Sequence, residues 1–288
     1  MRRLIINADD FGLTVGVNRA IVEAHEHGVV TSATVMANGP EFEDAVRMAR
    51  AAHGLSVGCH VVLVDGLPVL EASQVPSLMG KSRNEVGFRR SWTGFAAAAL
   101  SGGLVAREIE AEATAQICKL QTAGIAVSHL DTHKHTHIFP QVLRPLARAA
   151  KACGVRALRN PFEPLRVAPW AKRPNLWMRW LGAGALDGFA RDFRRVVQAA
   201  DLLTPDGAAG VVATGALDEQ LLADIVEHLP PGSWELVCHP GYADAQLQRV
   251  RTRLRASRER ELRILTSSGT KELLSKSLID LISYCDLG

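Results

Sequence analysis

What most restricts the fold of this chain is an alternation. Short β-branched runs are each followed by a stretch whose apolar residues recur at helical spacing. The pattern predicts strands over 3–8, 31–38, 55–63, 126–133, 155–160, 210–215, 234–240 and 262–267. It predicts helices after the first strand (ending at Gly28) and over 41–52, 106–123, 141–153, 217–228 and 270–281. Strands alternating with helices build a parallel sheet covered on both faces. No GxGxxG follows the first strand, so an open dinucleotide-binding sheet is the weaker closure. The expected architecture is an α/β fold, a distorted (β/α) barrel of seven or eight strands, with residues 1–288 forming one domain. Two stretches break the rhythm: 64–103, read as a long loop, and 161–207, read as an irregular insertion. In the insertion, Pro161, Pro164, Pro169 and Pro174 exclude a long helix from the first half. Yet Trp170, Trp177 and Trp180 are too apolar for a solvated loop.

Composition narrows the function classes. A formal charge of +3 gives no whole-protein attraction to nucleic acid. Basic residues concentrate over 156–195 and 249–263, where a solvated face is the simplest reading. Only three consecutive apolar residues precede Asn7, short of a secretory core. No run approaches the ~18 apolar residues of a membrane span. The five cysteines are scattered and lack CxxC spacing, as in reduced thiols. The expected location is therefore cytoplasmic.

In a barrel of this kind, chemistry collects at the C-terminal ends of strands. Four predicted strand ends carry ionisable residues: Asp9-Asp10, His60, the run Asp131-Thr-His133-Lys-His135-Thr-His137, and His239-Pro240. Each alone has an ordinary explanation, such as a helix cap or a packed histidine. Together, one barrel mouth would unite them. Two imidazoles and one carboxylate make a three-ligand metal site that keeps positions open for water and a carbonyl. Adjacent strand residues point in different directions, so one aspartate can ligate while its neighbour takes a proton.

At these residues the chain resembles a known family. Asn7-Ala8-Asp9-Asp10-Phe11-Gly12, Gly58-Cys59-His60, His129 through His137 with Pro140, and Cys238-His239-Pro240 are similar to the motifs of the YdjC-like carbohydrate deacetylases. Within that family, the stretch from His60 to Leu70 and Val75-Pro76 is most similar to hopanoid-biosynthesis-associated members. The resemblance implies a barrel related to polysaccharide deacetylases that removes acetyl from an N-acetylated sugar. It implies Asp10, His60 and His133 as ligands of one divalent metal, Asp9 as general base and His239 as general acid. His135, His137 and Arg159 are the expected substrate-binding residues. The ligand set suits zinc, and also manganese, cobalt, iron or nickel, with magnesium if waters complete its shell. The candidate substrates are an N-acetylglucosaminyl hopanoid glycolipid and, as the alternative, a chitooligosaccharide. A peripheral contact with the inner membrane and a homodimer stay open. So do another metallohydrolase on the same scaffold and a sugar-binding protein with a vestigial site.

Overall fold

The computed structural model describes residues 1–80, 86–163 and 173–288. Its centre is β1 (Arg2–Phe11), whose Leu4, Ile5, Ile6 and Ala8 are shut away from solvent. On one side β1 pairs with β7 (Gly232–Cys238) and, through it, with β6 (Gly207–Ala209). On the other side follow β2 (Ser32–Val35), β3 (Ser56–Val61), β4 (His129–Thr132) and β5 (Ala157–Leu158). All these ladders are parallel. The two outer strands share no ladder; each is bonded to a residue just outside the other. Ala157 bridges Leu203, and the Ala208 N–H donates to the Phe162 carbonyl. The sheet is thus curled almost closed, as the alternation predicts.

Helices cover the outside: α1 (Val15–Glu26), α2 (Phe42–Ala51), α3 (Trp92–Leu100), α4 (Ala106–Thr122) and α5 (Pro140–Ala152). The later ones are α6 (Trp177–Leu186), α7 (Ala190–Ala199), α8 (Glu219–His228), α9 (Ala245–Arg249), α10 (Ala256–Thr266) and α11 (Ser268–Lys276). Local chemistry fixes several starts. Thr14, Ser91, Asp218 and Asp244 each accept a backbone N–H in the first turn of the helix that follows.

Four expectations fail, each for a physical reason. The stretch 64–103 contains α3, hidden from a periodicity reading because its alanine-rich core has little amphipathic contrast. The run 262–267 is the end of α10. Arg258, Glu261, Leu262 and Leu265 are buried at helical spacing, so the period is 3.6 and not 2. Residues 279–281, expected in a helix, form β8 (Ile279–Leu281), which lies parallel to Arg2–Leu4 of β1. It fills the length of β1 that β2, paired at Asn7–Phe11, leaves free. The sixth strand lies at β6, ahead of 210–215, which forms turns.

In the insertion, α6 and α7 follow a short 3-10 turn at Pro174–Leu176. Pro164, Pro169 and Trp170 lie outside the described residues. Among the described residues, no helix is long and apolar enough to cross a membrane.

Candidate metal centre at the mouth of the curled sheet

The sequence places Asp9 and Asp10 at the end of β1, and the backbone there is irregular. Register with β2 shifts between Ala8 and Phe11, and Asp10 takes φ 68°. A left-handed aspartate costs free energy and persists only when its surroundings hold it. Regular pleating would send the two carboxylates to opposite faces; with this break both line one cavity.

His60 is in register with Asp131 across the β3–β4 pair. The two side chains therefore meet, with His60 Nδ1 2.7 Å from Asp131 Oδ1. That contact turns Nε2 toward the mouth, 3.2 Å from His133 Nδ1 and 3.5 Å from Asp10 Oδ1. His133 Nδ1 is 3.2 Å from the same oxygen. One donor atom from each of Asp10, His60 and His133 lies within 4.8 Å of the others, and Asp10 Oδ1 is buried without a hydrogen-bond partner. An orphaned carboxylate oxygen facing two imidazole nitrogens fits a divalent metal.

Around this triad sits a floor of buried charge. Arg159, which sequence reasoning put among the substrate contacts, is fully buried beneath the mouth. Its Nη2 is 2.6 Å from both Asp9 Oδ1 and Glu235 Oε1, and its Nη1 is 2.7 Å from Asp131 Oδ2. Tyr284 Oη donates to the other oxygen of Glu235 at 2.5 Å. One guanidinium faces three carboxylates, of which burial pushes Glu235 up, and the carboxylates beside His60 favour its cation. His60 shows the effect. Burial works against its charged form, yet Asp131, Asp9 and Asp10 outweigh that and raise it to about 9. Burial likewise opposes ionisation of Asp9, but Arg159 and His60 hold its carboxyl well below the usual range.

The other predicted residues divide. His239 stands at the mouth with Nε2 3.9 Å from Asp9 Oδ2, and its backbone N–H donates to Glu261 at 2.6 Å. Burial pushes its imidazole down to about 4. His135 lines the cavity. His137 does not: Nδ1 is 2.6 Å from Thr132 Oγ1, and Nε2 is 3.2 Å from the Arg159 carbonyl. Both its nitrogens are engaged in the floor. The run after Thr132 is not extended. Lys134 and His135 adopt φ 57° and 53°, so alternation between faces ends at His133.

Sequence reasoning gave no role to Asp131, Glu235, Tyr284, Arg258 or Glu261. A charged residue inside the apolar strand WELVC was a usable signal for Glu235. For Arg258 there was none, because it hides in a basic run that reads as solvated. In fact Arg258 is buried and donates to Asp10 Oδ2.

The mouth opens into a cavity of about 1100 Å³. Its lining includes the apolar side chains of Trp92, Ile138, Phe162, Leu186, Val212 and Leu254 and the arginines Arg90, Arg179, Arg251 and Arg253.

A curled parallel sheet thus carries, at its strand ends, a two-histidine, one-carboxylate cluster that could hold a metal ion. The chain itself belongs to the YdjC-like family, whose model it matches over residues 3–276. It is 34% identical to a carbohydrate deacetylase of Brevibacillus brevis, over 99% of this chain and 100% of that one. To a carbohydrate deacetylase of Geobacillus stearothermophilus it is 32% identical, over 98% and 97%. Among solved structures it is similar to a putative cellobiose-phosphate cleavage protein of Enterococcus faecalis, with a TM-score of 0.76 and 27% identity over 98% of this chain and 97% of that one.

Proposed function

We propose that the protein is a metal-dependent hydrolase that removes the acetyl group from an N-acetylated sugar. The observation that carries this reading is the orphaned Asp10 Oδ1 between His60 and His133, with Asp9 and His239 beside it. Bound there, a divalent ion such as zinc or magnesium supplies Lewis acidity to the acyl carbonyl and to water.

The chain's own residues supply the rest. Asp9, fixed by Arg159, accepts the proton of the attacking water. His239 Nε2 lies 3.9 Å from Asp9 Oδ2, so the proton moves on to it by way of one water. His239 then delivers it to the nitrogen as the C–N bond breaks. Arg159 and His137 are positioning residues here, because their polar atoms are committed within the floor.

The relatives named carbohydrate deacetylases support a sugar substrate. The apolar side chains that line the cavity support a finer reading: an N-acetylglucosaminyl lipid such as a hopanoid glycolipid, whose aglycone lies along Phe162 and Leu186. Exposed Trp177, Met178 and Leu181 on α6 fit an enzyme that touches the membrane surface carrying such a lipid. Acetate release tests the reading, with enzyme supplemented in turn with zinc, magnesium, manganese and cobalt. The panel is diacetylchitobiose, its phosphorylated form and an N-acetylglucosaminyl lipid. Release from at least one N-acetyl sugar is expected, fastest from the lipid. No acetate from any member overturns deacetylation; fastest release from the phosphorylated sugar replaces the lipid reading and assigns the cavity arginines to the phosphate.

A further inference from the structure

Arg258 is the least explained charged group near the site. Its residue is 1% exposed, and its three nitrogens are treated unequally. Nε donates to the Leu254 carbonyl at 3.3 Å, and Nη2 donates to Asp10 Oδ2. Nη1 is buried with no partner. A buried charged donor left unsatisfied costs more than a neutral one. Such a group in a folded protein calls for an acceptor supplied from elsewhere. Arg258 lines the cavity, so a bound molecule can supply it.

The surroundings look built for this side chain. Helix α10 carries Arg258 beside Asp10 and, one turn on, Glu261 beneath His239. Gly241 lies against the arginine's stem: a Cβ there would meet Arg258 Cδ at 2.9 Å and Val17 Cγ2 at 3.0 Å. The glycine gives the guanidinium its passage.

We propose that Arg258 is a catalytic residue with two duties: Nη2 occupies Asp10 Oδ2, leaving Oδ1 for the metal, and Nη1 donates a hydrogen bond to the substrate's acyl oxygen. The inference rests on the deacetylase reading above. As water adds to the acyl carbon, the C=O π pair moves onto oxygen, beside Nη1–H. When the C–N bond breaks, that pair returns and the amine takes its proton from His239. The guanidinium keeps all its protons, acting through charge and direction only.

Three variants test this: Arg258→Lys, Arg258→Ala and Gly241→Ala, each measured for zinc affinity by calorimetric titration and for kcat and KM. Removing a preorganised oxyanion donor costs about 10²–10³-fold in kcat. Arg258→Lys keeps a cation by Asp10 but loses the fork, so zinc affinity should stay close to wild type while kcat falls by about that factor. Arg258→Ala should lose both, with zinc affinity changed at least about tenfold, on the scale of lost outer-shell contacts. Its kcat should recover in part on adding guanidinium chloride, and not on adding sodium chloride. Gly241→Ala should lower kcat with zinc affinity retained. A kcat for Arg258→Lys within threefold of wild type overturns the acyl-oxygen contact, as does failure of guanidinium rescue in Arg258→Ala that melts like wild type. Unchanged zinc affinity in Arg258→Ala overturns the hold on Asp10. Should wild-type enzyme release no acetate, the deacetylase reading falls and the acyl-oxygen contact with it, while the zinc titrations still decide the Asp10 contact.

Discussion

Arg159 holds Asp9 at two points, with Nη2 2.6 Å from Oδ1 and Nη1 2.9 Å from Oδ2. The grip fixes the direction of the carboxylate and keeps it ionised. Asp9→Asn should therefore retain bound metal and lose at least ~10²-fold in kcat, the scale of general-base catalysis. Steady-state kinetics beside elemental analysis of the same preparation check this. Equal loss of metal in Asp9→Asn and Asp10→Asn would reverse the two roles. Arg159→Met strands three buried carboxylates and should destabilise the fold by about 3–5 kcal/mol, read as a lower denaturation midpoint.

Metal retention separates ligands from their supports. Asp10→Ala, His60→Ala and His133→Ala should each abolish stoichiometric metal. Asp131→Asn should weaken affinity by about 10–100-fold, because it loosens the imidazole that Asp131 orients. His135→Ala should keep metal. Full metal content in His60→Ala would dismiss the site as drawn.

Stability should carry the mark of Glu163, whose carboxylate accepts the Gly210 and Val212 N–H groups at 3.0 and 2.8 Å. Burial pushes it from 4.5 up to about 7, against the lowering effect of those donors. The folded state therefore holds a proton that the unfolded chain has released. Its contribution is fully present below pH 4.5 and is lost as pH rises through about 7. Glu163→Gln is neutral throughout, so the stability of wild type relative to the variant should fall between pH 4.5 and 8. The total change is about 3 kcal/mol for a shift of this size. Denaturant melts at a series of pH values measure it; a constant difference would show that Glu163 titrates normally.

The exposed apolar side of α6 makes a separate forecast. Trp177, Met178 and Leu181 are 49%, 79% and 56% exposed, while Ala183 and Leu186 face the cavity. Replacing the exposed three by serine should raise KM for a lipid-linked N-acetylglucosamine about tenfold or more, since each withdrawn side chain removes ~1–2 kcal/mol of burial in an interface. Kinetics on a short soluble N-acetyl sugar should not move. Parallel losses on both substrates would mean that α6 is needed for the fold alone.

How much of this was legible depends on distance along the chain. Asp9, Asp10, His60, His133 and His239 all stand at strand ends, and a period-2 reading finds strand ends. The partners were harder. Asp131 meets His60 through parallel register, which no single strand reveals. Glu235 was visible as a charge in an apolar strand, but its partner lies 76 positions earlier. Arg258 and Glu261 stand in the basic run 249–263, which reads as a solvated face, just ahead of the strand expected at 262–267. The insertion hid its helices because its prolines precede them.

The floor of the site has a consequence for how the protein is made. Asp9 leaves the ribosome early, and its counter-ion Arg159 follows 150 residues later. Glu235 comes later still, and Tyr284, which hydrogen-bonds it, last of all. The charged floor is therefore complete only once the segment around Tyr284 has been made. A message truncated ahead of Tyr284 yields a protein whose Glu235 lacks that hydrogen bond, and so an incomplete floor.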